Sequence, residues 1–195
     1  MKLPDGYHEL PLNDIQTAID ASENLVPSEA RESFAEVAPA IGNLLAELRA
    51  QHTGYCGIGR HTAPDGTVVT SWLTISDLGY GPERNPRLVV AELVTDRSKP
   101  GTYVEPVELD GRTVLFTEST PTFLVGADSD EHDRLAATVH QIEAIVVADD
   151  GTRIAAAIFS TADVAYGAYF RTMMMSLATS MRFRVPGDTV SSLAL

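Results

Sequence analysis

The chain has 195 residues, 44% of them hydrophobic and 21% charged, an ordinary composition for one globular domain that buries roughly 70% of its unfolded surface. With 27 acidic against 14 basic residues the formal net charge is −13, which repels phosphate backbones and anionic lipid headgroups, so neither nucleic acid nor a membrane is an expected partner. The lone cysteine, Cys56, excludes an intramolecular disulfide.

The opening MKLPDGYHELPLND puts Pro4, Asp5 and Glu9 where a signal peptide needs an apolar run. No stretch approaches the ~20 apolar residues of a membrane span, so a cytoplasmic protein is expected. Asn13 and Asp14 are cap residues ahead of Ile15, Ala18 and Ile19, which predicts a short amphipathic helix. Pro27 and Ser28 open a longer one. Its apolar positions Phe34, Val37, Ile41, Leu44, Leu45 and Leu48 follow 3-and-4 spacing, predicting one stripe toward the core. Pro39 lacks a backbone donor and crowds the preceding turn, so a kink or break is expected near residues 37 to 39.

After Gln51 the pattern turns to strands and tight turns. Asp-Gly pairs in APDGTV (63–68), ELDGRTV (108–114) and ADDGTRI (148–154) each lie between strand-like runs, and predict three hairpins. RLVVAELV at 87–94 reads as a strand, because Val89 and Val90 are β-branched and the hairpins need a neighbour. About seven strands, mostly antiparallel, result. The segment TADVAYGAYFRTMMMSLATSMRF predicts a closing helix, capped by Thr161 or Asp163, with Tyr166, Phe170, Met173, Leu177 and Met181 inward. Residues 1–185 are thus expected to form a single α+β domain, an antiparallel sheet built from Asp-Gly hairpins and covered by N-terminal and C-terminal helices. Residues 186–195 read as a flexible tail.

The chemistry-bearing residues divide by strand parity. In TGYCGIGRHTAPDGTV (53–68), a strand puts Cys56 and His61 on opposite faces, roughly 16 Å apart at ~3.3 Å per residue, so they do not form a nucleophile–base pair. Cys56 reads as a small buried apolar residue. Gly57 and Gly59 lack the third glycine and following helix of a dinucleotide loop, and read as sites of close packing by a helix or Trp72. Asp150-Gly151-Thr152 aligns with the haloacid dehalogenase signature, but Ala148 occupies the nucleophile position. The acidic stretch 126–135 lacks the glycine and final glutamate of a calcium loop. His140 and Glu143 fall on opposite faces of a strand, so they do not pair on a metal. Three consecutive methionines, Met173 to Met175, cannot all face one way on a helix; they read as core filling with at least one partly exposed, a soft surface that can serve a partner.

The succession of hairpins, IAAAIFS, a polar turn and a closing helix ending Ser-Met-Arg-Phe resembles the C-terminal half of Mog1/PsbP-like domains over residues 55 to 185. That resemblance implies an α/β/α sandwich and a non-enzymatic interaction role. GYHELPLND, GIGRHTAPDGTVVTSWLT, ERNPRLVVAEL and VHQIEAIVVADDGTR are similar to a group of uncharacterised actinomycete proteins, which brings no assigned activity. With no nucleophile–base pair, metal cluster or phosphate loop in the sequence, we expect a protein-interaction or assembly module without catalytic residues or cofactor. Its partner would be another protein or a second copy. The alternative is a small-ligand-binding protein or hydrolase with a pocket between helix and sheet near Cys56 and Trp72. The candidate contact or pocket residues are Arg60, His61, Trp72, Tyr80, Arg84 and Met174.

Overall fold

A computed structural model describes residues 1–26, 28, 31–125 and 135–183. The acidic stretch 126–134, Pro27 and the expected tail 186–195 lie outside the described residues. The elements in order are β1 (Tyr7–Glu9), α1 (Ile15–Leu25), α2 (Arg31–Ala50), β2 (Thr53–Thr62), β3 (Val68–Gly79), α3 (Pro86–Arg97), β4 (Thr102–Leu109), β5 (Arg112–Ser119), β6 (Thr122–Val125), β7 (Leu135–Thr138), β8 (His140–Val147) and β9 (Arg153–Thr161). A 3-10 turn at Val164–Phe170 then leads into α4 (Arg171–Ser180).

Seven strands form one antiparallel sheet in the order β1-β2-β3-β9-β8-β5-β4, and β6 pairs with β7 separately. The last hairpin, β8–β9, is inserted between the two earlier ones. It is also the most apolar, and a strand covered on both faces needs apolar residues at both parities. Asp110 and Gly111, with φ of 49° and 75°, make the two-residue turn between β4 and β5, where the backbone must turn left-handed twice.

Alternation along the strands sorts side chains into separate cores. Val69, Leu73, Val114, Phe116, Ile142, Ala144, Val146, Ala157 and Phe159 face α4 together with Phe170, Met174 and Leu177. On the other face Leu115, Ile145, Val147, Ile154 and Ala156 meet Val89, Val90 and Leu93 of α3. Beside them Cys56 packs with Leu10, Ala18 and Leu45 under the α1–α2 pair. Helices therefore cover both faces of the sheet.

Several expectations are corrected. Residues 87–94 belong to helix α3. Asn85 caps it by accepting from the Arg87 N–H at 2.9 Å, Pro86 takes the first position, and the three buried apolar residues share one helical face. The sheet keeps seven strands because β1, from the Gly6–Tyr7 region, pairs with β2. Helix α2 runs through Pro39 without a break, with that residue exposed. Only Phe34 and Leu45 of its expected inward stripe are buried; Val37 is 45% and Leu44 43% exposed. No helix among the described residues is long and apolar enough to cross a membrane.

Candidate functional site

The expected site residues do not converge. Arg60 is exposed and Trp72 half-buried on the face of β2 and β3 toward α1 and α2. His61 lies on the opposite face, its ring 5.0 Å from Tyr7 and 5.1 Å from Phe170. Its Nε2 is 3.1 Å from the Ser71 hydroxyl, which is also 3.0 Å from the Tyr7 hydroxyl. Burial lowers the His61 pKa and raises that of Tyr7. Ser71 is a hydroxyl bonded to an imidazole, but at 3% exposure it is closed to a substrate. Tyr80 and Arg84 pair at the end of β3, with the guanidinium carbon 5.2 Å from the ring centroid and a 2.9 Å ion pair from Arg84 to Glu92.

Met174, expected at a contact surface, is fully enclosed in the core beneath α4. The helix is rotated so that Met173 and Met175 take the half-buried positions. Cys56 is likewise sealed, and burial pushes its thiol up to about 12. Side chains of α1 and α2 fill the space beside it. The close approach over Gly57 and Gly59 is made by the rings of Tyr55, His61 and Tyr7, and not by a helix or Trp72. A Cβ at either glycine would run into these side chains, and at Gly59 into the Ser71 hydroxyl as well.

A different set of residues meets where β4, β5 and β8 pass under the start of α4. The β4–β5 register places Tyr103 opposite Glu118 and Glu105 opposite Phe116, all four on the α4 face. Glu118 is thus an acidic residue at the end of the apolar series Val114, Phe116. His140 stands in the same position in β8, at the start of the series Ile142, Ala144, Val146. Its imidazole is buried, with Nε2 3.2 Å from Glu118 Oε1. The two atoms are close without being aligned as a hydrogen bond, so this buried nitrogen has no hydrogen-bond partner.

Arg171, the first residue of α4, binds the other side of the same carboxylate, 2.9 Å to Glu118 Oε2. It lies 3.9 Å from Glu105 and 5.3 Å above the Tyr103 ring centroid. Gly101, Tyr103, Glu118, Ser119, Thr120, His140 and Arg171 enclose an open cleft of about 450 Å³. A second cavity of about 40 Å³, lined by Tyr55, Ile75, Met181 and Phe183 among others, is apolar and far smaller. Neither cavity has Cys56, His61 or Trp72 in its wall.

On the reverse face Glu143 accepts two bonds from Arg97, at 2.9 and 3.1 Å, and one from Thr117. These bonds raise the Arg97 pKa and tie the last turn of α3 to the sheet. Among the described residues no group of three or more histidines, cysteines or carboxylates is placed to hold a metal ion.

Parity carries the signal that sequence reading passed over. Glu118 and His140 each stand at the end of a strand series whose inner members are core residues, and a polar residue there calls for a partner. That the two stand side by side, and that Arg171 joins Glu118 from α4, depends on β5 and β8 being adjacent. No protein-family model matches the chain, and no curated protein matches it.

Proposed function

We propose that this protein is a non-enzymatic interaction module of the cytoplasm, and that it takes its protein partner at the cleft formed by Tyr103, Glu118, His140 and Arg171. The observation that carries this reading is Arg171, held between Glu118, Glu105 and the Tyr103 ring at the rim of an open concavity. Tyrosine and arginine held rigidly are the residue types that dominate interface energetics, because they bury large area at little entropic cost. Tyr103 at 53% and Tyr169 at 62% are also among the most exposed large side chains.

Two further points support binding over catalysis. Glu118 in the cleft and Glu105 beside it are both engaged by the one guanidinium of Arg171. The thiol and the histidine-bonded hydroxyl, Cys56 and Ser71, are both enclosed. Helices on both faces of an antiparallel sheet support a Mog1/PsbP-like kinship, the same class of interaction module.

The test is capture by immobilised full-length protein from an extract of the native cell. The wild-type chain retains a discrete partner, Tyr103→Ala and Arg171→Ala lose it, and Arg87→Ala, exposed on the opposite face, keeps it. Equal capture by all four proteins overturns the proposal.

A further inference from the structure

A sheet ends in two strands whose outer backbone groups are open to another strand, and here those strands are β1 and β4. β1 has three residues, set between Pro4 and Pro11, and is too short to template a neighbour. β4 has eight. Among the described residues no strand pairs with its outer side.

The turn after β4 decides which of its residues point outward. Leu109 and Arg112 face each other across the two-residue turn Asp110-Gly111, so they exchange both of their backbone hydrogen bonds. Counting back by twos, Val107, Glu105 and Tyr103 also bond to β5. Glu108, Pro106, Val104 and Thr102 turn their backbone groups away from the sheet. The Thr102 N–H is taken by the Lys99 carbonyl at 3.0 Å. Pro106, exposed and inside this outward series, has no N–H to offer. On the other parity a proline would have broken the ladder with β5.

The same edge is complementary to itself. Two copies of β4 laid antiparallel about Pro106 set Val104 of one opposite Glu108 of the other, Glu105 opposite Val107, and Tyr103 opposite Leu109. No two like charges are then opposed. The outward groups of Val104 and Glu108 meet on both sides of the centre. Only at the centre, where Pro106 faces Pro106, are both donors missing and two rings in the way. We infer that β4 is a self-complementary edge for a second copy of this chain, and that Pro106 keeps it closed. The inference stands apart from the cleft reading, and it leaves the Tyr103–Arg171 surface to a different protein.

The experiment compares the full wild-type chain with Pro106→Val and Pro106→Thr, by sedimentation velocity over a concentration series and by amide hydrogen exchange. Both variants restore the N–H, and threonine does so with a polar side chain. In the wild type the Val104 and Glu108 amides should exchange fast at every concentration. Both variants should associate at least about tenfold more tightly than the wild type, because two backbone bonds are gained across the two-fold axis. Protection at residues 104, 106 and 108 should rise as the dimer forms.

Folded variants that sediment as the wild type does would overturn the inference. So would association of Pro106→Val alone, which would trace to added apolar surface and not to the restored donor. Protection that also appears at Tyr7 and Glu9 would mean a head-to-tail contact through β1, and would overturn the self-paired edge. The wild type supplies a test that no substitution can disturb: protection of Val104 and Glu108 that rises with its concentration would show that Pro106 closes nothing.

Discussion

Gly167 lies directly against the imidazole of His140, so that a Cβ at position 167 would overlap the ring carbons. The 3-10 turn can pass over the buried end of β8 because it carries no side chain there. Gly167→Ala should therefore destabilise the protein by about 1–3 kcal/mol through overpacking. His140→Ala in the same chain should recover much of that loss, because the clash partner is gone. Urea unfolding of the two single variants and the double variant measures the coupling. A wild-type midpoint for Gly167→Ala would rule out the close approach.

Arg97 and Glu143 join α3 to the centre of the sheet by a bidentate pair, with Glu143 at 9% exposure and the Arg97 side chain at 40%. Arg97→Met leaves a buried carboxylate with only Thr117, and should cost about 1–3 kcal/mol, reduced from the fully buried case by the exposure of the arginine. Replacing both residues, Arg97→Met with Glu143→Leu, should cost less than the single change. Chemical denaturation decides this, and a double variant less stable than Arg97→Met contradicts it.

His61 gives a pH dependence whose sign follows from its environment. Burial lowers its pKa in the folded state below the ordinary 6.5, so between those two values the unfolded chain binds more protons. The stability due to neutral His61 is complete above about pH 6.5 and is lost as pH falls toward the folded-state value. The hydrogen-bonded carboxylates of Asp14, Asp65 and Asp150, all with lowered pKa, lose their contribution only at lower pH, below about 4. Urea midpoints between about pH 7.5 and 5.5 should fall in the wild type and fall less in His61→Gln. Parallel curves for the two proteins would exclude His61 as the source.

Cys56 should be inert in the native state. With no exposure and a thiol pushed up to about 12, it presents almost no thiolate near neutral pH. A disulfide reagent such as Ellman's at about pH 8 should label it only on unfolding, at the rate of the opening reaction. Stoichiometric labelling of the native protein within the mixing time would contradict this placement.

Pro39 sits exposed inside α2, where the helix continues despite a missing donor and the crowding of the preceding turn. Pro39→Ala should stabilise the protein by about 1–3 kcal/mol, the reverse of most substitutions, because the cost of an internal proline is removed. Thermal unfolding is the measurement, and a lower midpoint for the variant would mean that the ring makes a contact the helix needs.

Local chemistry was legible wherever a side chain's role is settled by its near neighbours in the chain. Strand alternation separated Cys56 from His61 and His140 from Glu143, and Asp14 caps α1 by accepting from Thr17. It failed at 87–94, where two β-branched valines outweighed a better signal, Asn85-Pro86, for a helix start. It failed again at Met174, because spacing defines a helical stripe but not which face of α4 the sheet finally covers.

An acidic α+β chain, its turns, its strand parities and the apolar character of its last hairpin are all legible in residues only a few positions apart. That this hairpin enters the middle of the sheet is settled by the assembled fold. That insertion sets β5 beside β8 and so brings Glu118 to His140, with Arg171 closing over them from α4. The order of strands depends on which whole faces can be covered together, a property of the assembled chain that no window of neighbouring residues contains.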